Sequence, residues 1–327
     1  ANSSEQSLKN LAQEFSCPFT LTSKEGLEGM ERLLDKAKPD IAVNGIAGAA
    51  GLFPSKAVLE RGIDLALANK ETVVMAWPLV KSLADKKGAA IIPVDSEHSA
   101  IFNLIHFCGN KNIEEIVITA SGGPFRNFSK EELKKATLAD ALKHPTWKMG
   151  KKITVDSATL ANKGLEVIEA TRLFDLDQSK VAVVVHPESL IHSLVRTSDG
   201  ILYAQISEPD MRHPIMGALC WPEYVSSGLE KFSLAGKKMT FFEPRRDDFP
   251  LLALAESTAK KNASYTIAFN AADEIAANAF IKEKISFAKI SETVQKVLEK
   301  DWAQEPRDFD DVFKADMEAR KMAEAAL

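Results

Sequence analysis

No apolar stretch approaches the ~18 uninterrupted residues that a bilayer-spanning helix requires, so no membrane partner is expected. Cysteine is scarce. Cys17, Cys108 and Cys220 are an odd count with no Cys-x-x-Cys spacing, which excludes a disulfide frame or a cysteine zinc site and fits a reducing, cytoplasmic setting. Cationic excess is missing too: Lys and Arg total 41 against 46 Asp and Glu, a net charge of −5. Without a basic stripe to neutralise phosphates, nucleic acid is excluded as a partner. Aromatic residues make up only 7%, and the many alanines point to helix-rich packing. The polar start has neither a basic n-region nor an apolar h-region, so no signal peptide is expected. Internal repeats and low-complexity tracts are absent as well.

What is present is a globular composition, 45% hydrophobic and 27% charged over 327 residues, enough for two or three domains at ~150 residues each. Residues 7–15 read as a helix. A second covers 26–37, with Leu27, Met30, Leu33 and Leu34 at helical spacing. A short strand at 41–43 runs into Gly45-x-x-Gly48-x-x-Gly51 and a helix to about residue 60. Strands at 63–68 and 89–94 flank a helix at 72–84. This alternation is the grammar of a parallel doubly wound sheet. The glycine series lacks the Gly-x-Gly-x-x-Gly spacing, and by itself reads as a structural turn sooner than as a nucleotide contact. Further on, strands are expected at 116–120, 181–185 and 201–206, and a helix at 157–174. Residues 221–228 and 237–244 read as an extended linker. From residue 250 the pattern is helical, with an apolar stripe of Phe287, Ile290, Val294, Val297 and Leu298 and another beginning at Val312, Phe313 and Met317.

Polar residues gather between 95 and 212. Asp95 and Glu97 follow the strand ending at Val94; in extended backbone, residues two apart point to the same side, and the carboxyl end of a strand is where open α/β sheets bind ligands. The plainer alternative is a strand end with a capping Asp. On the helix after Ser157, Asn162 and Glu166 share a face that Lys163 borders. Asp95, Glu97 and Glu166 would form an all-oxygen set suited to Mg²⁺ or Mn²⁺, whereas Lys163 and Glu166 alone would be an ordinary helical ion pair. Ser121 after a strand and Ser157 opening a helix can offer hydroxyl and backbone donors to a phosphate, with Lys163 adding charge; Ser157 equally suits a helix cap. His144–Gly150, aperiodic and holding Trp147 and Met149, reads as a lid, or as a loop whose Trp packs on the core. Ser189 and His192 follow another buried strand.

The strings PVDSEHSAIF (93–102), ASGGPFR (120–126), HPTWKMGKKITVDSATLANKGLEVIEA (144–170), HPESLIHSLV (186–195), EPDMRHPI (208–215) and NAADEIAANAF (270–280) resemble the 1-deoxy-D-xylulose 5-phosphate reductoisomerase family. The resemblance implies NADPH- and divalent-metal-dependent rearrangement and reduction of a small phosphorylated sugar, in a cytoplasmic homodimer. Asp95, Glu97 and Glu166 match metal ligands. Ser121, Ser157, Asn162 and Lys163 match the phosphate group, and His144 and Trp147 match the lid, with Met149 beside them. Ser96, His192 and Met211 match other substrate- or cofactor-side positions, to which Ser189 is added on the substrate side. Gly45, Asn69, Lys70, Glu71, Met149 and Gly150 fall on the cofactor side. Glu97, Lys70, His144 and His192 are the catalytic expectation. The expected architecture is α/β: a partial doubly wound, Rossmann-like domain (1–94), an α+β catalytic domain (95–220), a linker (221–246) and a C-terminal helical bundle (247–327).

The sequence departs from the family in one respect. The Gly-x-Thr-Gly-Ser-x-Gly turn that holds the NADPH pyrophosphate has no counterpart in residues 1–41, and the chain begins with Ala rather than Met. The expectation is of a truncated form that binds metal and substrate analogue but binds NADPH weakly and turns over little. The competing readings are a non-catalytic fragment that binds a phosphorylated ligand or metal or mediates dimerisation, and another NAD(P)-dependent sugar-phosphate dehydrogenase, which would need no carboxylate trio.

Overall fold

A computed structural model of the protein describes residues 4–109 and 113–327. Two helices, α1 (Glu5–Phe15) and α2 (Thr22–Ala37), precede β1 (Ile41–Asn44), α3 (Leu52–Glu60), β2 (Asp64–Leu67), α4 (Lys70–Lys87) and β3 (Ile91–Pro93). The three strands form a parallel sheet in the order β1-β2-β3. Parallel strands need crossover connections, and α3 and α4 supply them. Apolar residues of both helices, including Leu59, Val73 and Val80, close over the sheet.

Next come α5 (Ser96–Cys108), β4 (Ile113–Ala120), the single-turn helices α6 (Lys130–Leu133) and α7 (Leu138–Ala141), α8 (Lys151–Thr159), α9 (Ala161–Leu173), β5 (Val181–Val185), β6 (Ile191–Thr197), β7 (Leu202–Ile206) and α10 (Arg212–Cys220). The second sheet runs β5-β4-β6-β7, with β4 parallel to β5 and antiparallel to β6. From residue 221 the chain is irregular until a bridge between Val185 and Phe242. The chain ends in α11 (Pro250–Lys261), α12 (Tyr265–Ile281), α13 (Phe287–Leu298) and α14 (Phe309–Ala326). Most of α12 is buried, and its Phe269 shares a core with Leu165 and Ile168 of α9 and Leu252 of α11. Gly164 permits the α9–α11 approach: a Cβ there would lie 2.5 Å from that of Ala255.

Three local expectations differ from the structure. The helix expected at 157–174 is two helices, α8 and α9, broken where Leu160 adopts φ 60°. Ser157 therefore sits in the last turn of α8 rather than opening a helix. Asp95 is not in extended continuation of β3; it caps α5, its carboxylate accepting from the Glu97 N–H at 3.1 Å. Strand β6 went unread because buried His192 and Ser193 replace apolar residues, and an irregularity between Ile191 and Leu194, with Ser193 at φ 65°, breaks its period of two.

Candidate active site

Each sheet delivers its polar residues from strand ends. Lys70 begins α4 directly after β2, capped by Asn69, whose side chain accepts from Thr72 N–H. Asp95 and Glu97 follow β3, and Ser121 follows β4. Helix α9 contributes Asn162, Lys163 and Glu166 on adjoining faces, as i, i+4 spacing dictates. One carboxylate oxygen from each of Asp95, Glu97 and Glu166 lies within 4.8 Å of the others.

Two ammonium groups hold this crowded negative charge. Lys70 Nζ donates to Asp95 at 2.8 Å and lies 3.7 Å from Glu166, while Lys163 Nζ donates to Glu166 at 2.6 Å and lies 3.3 Å from Glu97. Asn162 donates its amide to Glu166 at 2.6 Å, leaving its buried Oδ1 without a partner among the described residues. Ser96 Oγ donates to Glu97 at 2.6 Å. Burial pushes Glu166 up to about 8, with Glu97 and Asp95 adding repulsion that Lys163 only partly offsets. Asp95 goes the other way: burial opposes its charge, but Lys70 and His98 hold it well below the usual carboxylate range. Three convergent carboxylates of which one retains a proton fit a divalent cation, which would replace that proton.

A second cluster lies beside the first. His144 Nε2 sits 3.1 Å from both Ser121 Oγ and Ser157 Oγ, while its Nδ1 accepts from the N–H groups of Thr146 and Trp147. Two donors at Nδ1 leave the ring proton on Nε2, facing the hydroxyls. Burial, Arg126 and Lys163 all lower the His144 pKa, so the ring is neutral. Both clusters line one cavity of about 300 Å³ together with Lys148, Met149 and Met211. Trp147 also lines it. It is half-buried, its ring edge-on to His192 at 6.3 Å. His192 is buried on β6, and its Nε2 lies 3.3 Å from the Ser207 carbonyl.

Close packing shapes the floor of this pocket. A Cβ at Gly123, where φ is 67°, would lie 2.5 Å from the Ser157 carbonyl oxygen. Gly123→Ala is expected to cost about 3 kcal/mol, combining left-handed strain with overpacking; a thermal melt indistinguishable from the parent would refute this.

Not every expected residue joins the cavity. Ser189 is buried in the turn after β5 at φ 51°, its N–H donated to the His186 carbonyl, and it does not line the cavity. Gly45 is exposed, with open space around it, and Gly150 caps α8 from the surface. Asn69 and Glu71 brace the glycine turn: Asn69 Nδ2 donates to the Ile46 and Gly48 carbonyls, and Glu71 accepts from Gly48 N–H at 3.0 Å. Glu274 of α12 accepts from Ala49 N–H at 3.4 Å. Two of the turn's N–H groups, those of Gly48 and Ala49, are thus already taken up by carboxylates.

Sequence reasoning missed His98 and Glu169. His98 is fully buried; its Nε2 donates to the Glu166 carbonyl at 3.0 Å, and its Nδ1 lies 3.4 Å from Asp95 and 3.6 Å from Glu169. Burial works against its charge, yet Glu169 and Asp95 hold its pKa at about 9. The only sequence signal was the i, i+3 spacing, Asp95 to His98 and Glu166 to Glu169.

Known proteins resemble this chain in sequence and fold. The family model for 1-deoxy-D-xylulose 5-phosphate reductoisomerase matches residues 1–77, and two models of the reductoisomerase C-terminal domain match 91–174 and 206–322. The reductoisomerase of Treponema pallidum is 47% identical over 97% of this chain and 86% of its own length. A solved reductoisomerase described as a complex with NADPH, fosmidomycin and magnesium superposes with a TM-score of 0.89 at 36% identity, covering 100% of this chain and 90% of that one. The Zymomonas mobilis enzyme, solved with NADPH, gives 0.86 at 37% identity, covering 99% and 84%. The Treponema denticola reductoisomerase is 51% identical over 92% of this chain and 79% of its own length, and the chain belongs to the 1-deoxy-D-xylulose 5-phosphate reductoisomerase family.

Proposed function

We propose that this cavity converts 1-deoxy-D-xylulose 5-phosphate to 2-C-methyl-D-erythritol 4-phosphate by rearrangement and reduction, the step that commits carbon to non-mevalonate isoprenoid synthesis. The observation that carries the reading is a trio of carboxylates and a pair of hydroxyls facing one cavity. Asp95, Glu97 and Glu166 are the residues that would hold Mg²⁺ or Mn²⁺. The ion supplies Lewis-acid polarisation of the substrate's carbonyl and hydroxyl oxygens, and NADPH supplies the hydride.

The chain's own residues do the rest. Ser121 and Ser157 donate to the substrate phosphate with His144 Nε2–H between them, and Lys163 adds charge. Anchoring a group remote from the reacting carbons orients them. Asn162 Oδ1 accepts a substrate hydroxyl, and Ser96 holds the Glu97 carboxylate. Lys70 keeps Asp95 ionised. Trp147, resting on His192, closes the cavity with Met149 and Met211 and excludes water. The cofactor side falls to Lys70, Met149, Gly150 and Gly45, with Asn69 and Glu71 fixing the turn. The proposed domain boundaries remain 1–94, 95–220 and 247–327, joined by the linker 221–246; the two sheets and the final four helices each fall within one unit.

A homodimer is proposed through the β7 edge, where Leu202, Ile206 and, on α5, Phe107 stand exposed; a monomer in analytical ultracentrifugation would refute it. No helix among the described residues is long and apolar enough to cross a membrane. The proposed location is the cytoplasm, in keeping with three cysteines that have no Cys-x-x-Cys spacing. The decisive assay follows NADPH consumption with 1-deoxy-D-xylulose 5-phosphate and Mg²⁺, with product identified by mass spectrometry. Oxidation that persists after chelation would favour a metal-independent dehydrogenase.

A further inference from the structure

Helix α4 is bent. Ala76 has φ −140° and ψ 23°, and Pro78 stands two residues later. Proline has no N–H, so the Val74 carbonyl four residues back loses its helical donor, and the proline ring pushes against it. A buried carbonyl without a donor is costly. Arg172, on α9, supplies the donor: Nη1 bonds the Val73 carbonyl at 2.7 Å and the Val74 carbonyl at 2.5 Å. Nη2 bonds Asn262 Oδ1 and Thr266 Oγ1, each at 2.8 Å, fixing the start of α12 as well. Arg172 forms no ion pair among the described residues, and both of its terminal nitrogens are turned to neutral oxygens.

The position of this clamp matters more than its strength. Helix α4 carries Lys70, one turn before Val73 and Val74; helix α9 carries Glu166, less than two turns before Arg172. Lys70 and Glu166 meet at the carboxylate cluster. The guanidinium therefore joins the two helices at a second point, beyond the one where their charged residues meet. We propose that Arg172 is a positioning residue for the metal cluster: by taking the donor place that Pro78 vacates, it fixes the α4 start, and with it Lys70, against Asp95 and Glu166. The proposal rests on the metal-dependent reading of that cluster.

The test is a double-mutant cycle on Mn²⁺ affinity, measured by electron paramagnetic resonance well below the melting temperature. Arg172→Met should raise the Mn²⁺ dissociation constant about tenfold, a typical coupling for an outer-shell partner. Pro78→Ala restores an N–H for Val74, so Pro78→Ala/Arg172→Met should return to within about twofold of Pro78→Ala alone, the non-additivity that a shared partner produces. Should Arg172→Met not fold, Arg172→Lys carries the test. It retains one donor for the carbonyls and should lie between parent and full loss, with the proline change again rescuing. Folded variants with unchanged Mn²⁺ affinity, or a defect that the proline change leaves untouched, would overturn the proposal. Wild-type protein that binds no Mn²⁺ would instead overturn the metal reading and this proposal with it.

Discussion

Glu166→Gln will lower Mn²⁺ affinity and turnover by about a thousandfold each, the scale of loss when a charged group central to transition-state stabilisation is removed. The exchange keeps shape but removes one of three anionic ligands, and it turns an amide N–H₂ toward Asn162 Nδ2 or Lys163 Nζ, both donors at 2.6 Å. It also removes a proton. Glu166 titrates at about 8 because it is buried beside Glu97 and Asp95, so near neutral pH the metal-free site retains that proton and Mn²⁺ must displace it. Calorimetry in buffers of differing ionisation enthalpy should show proton release near neutrality, little well above pH 8, and none from the variant. Stability follows the same sign. The folded site holds a proton that unfolded Glu166 has released, so the metal-free protein should lose stability as pH rises from 4.5 through about 8. A melting temperature flat across that window would contradict the assignment.

Lys163→Met should weaken fosmidomycin binding by about a hundredfold in the presence of Mn²⁺, as expected when one partner of a buried charged contact is lost. The Lys163 ammonium lies between Glu166 and Glu97. A divalent cation held by those carboxylates would neutralise them and leave the ammonium available to the phosphonate. Metal and phosphonate should therefore each strengthen the other's binding by the same factor, as linkage requires. Affinity unchanged by the substitution would remove Lys163 from the phosphate role.

Much of this site was legible because its side chains sit at strand ends and on one helix face. Asp95, Glu97 and Glu166 do converge, although not along the path that extended backbone would give. The reading assumed extended backbone, whereas a helix cap brings Asp95 back over its own first turn. Sequence points to a helix start at Ser157 because the break at Leu160, a non-glycine residue at φ 60°, leaves no mark in it. The glycine turn resembles a nucleotide site only in its glycine series between a strand and a helix, and two of its N–H groups are already engaged. Their acceptors, Glu71 and Glu274, come from 23 and 225 residues away, and no local pattern announces them. His98 and Glu169 stayed hidden for the same reason: a buried charged pair resembles a core position until its neighbours are in place.

Every side chain assigned to the cavity lies before residue 212, yet the cavity is not complete when residue 212 leaves the ribosome. Lys152, in the first turn of the helix that carries Ser157, bonds both Asp156 and Asp273, the latter fully buried on α12 at 2.5 Å. Until α12 has been synthesised, that helix lacks its anchor, and the Gly48 turn lacks the carboxylate of Glu274. A nascent chain thus carries the whole chemical inventory for a long stretch of translation without a competent site. A chain that stops short of α12 should lose activity although every residue lining the cavity is still present.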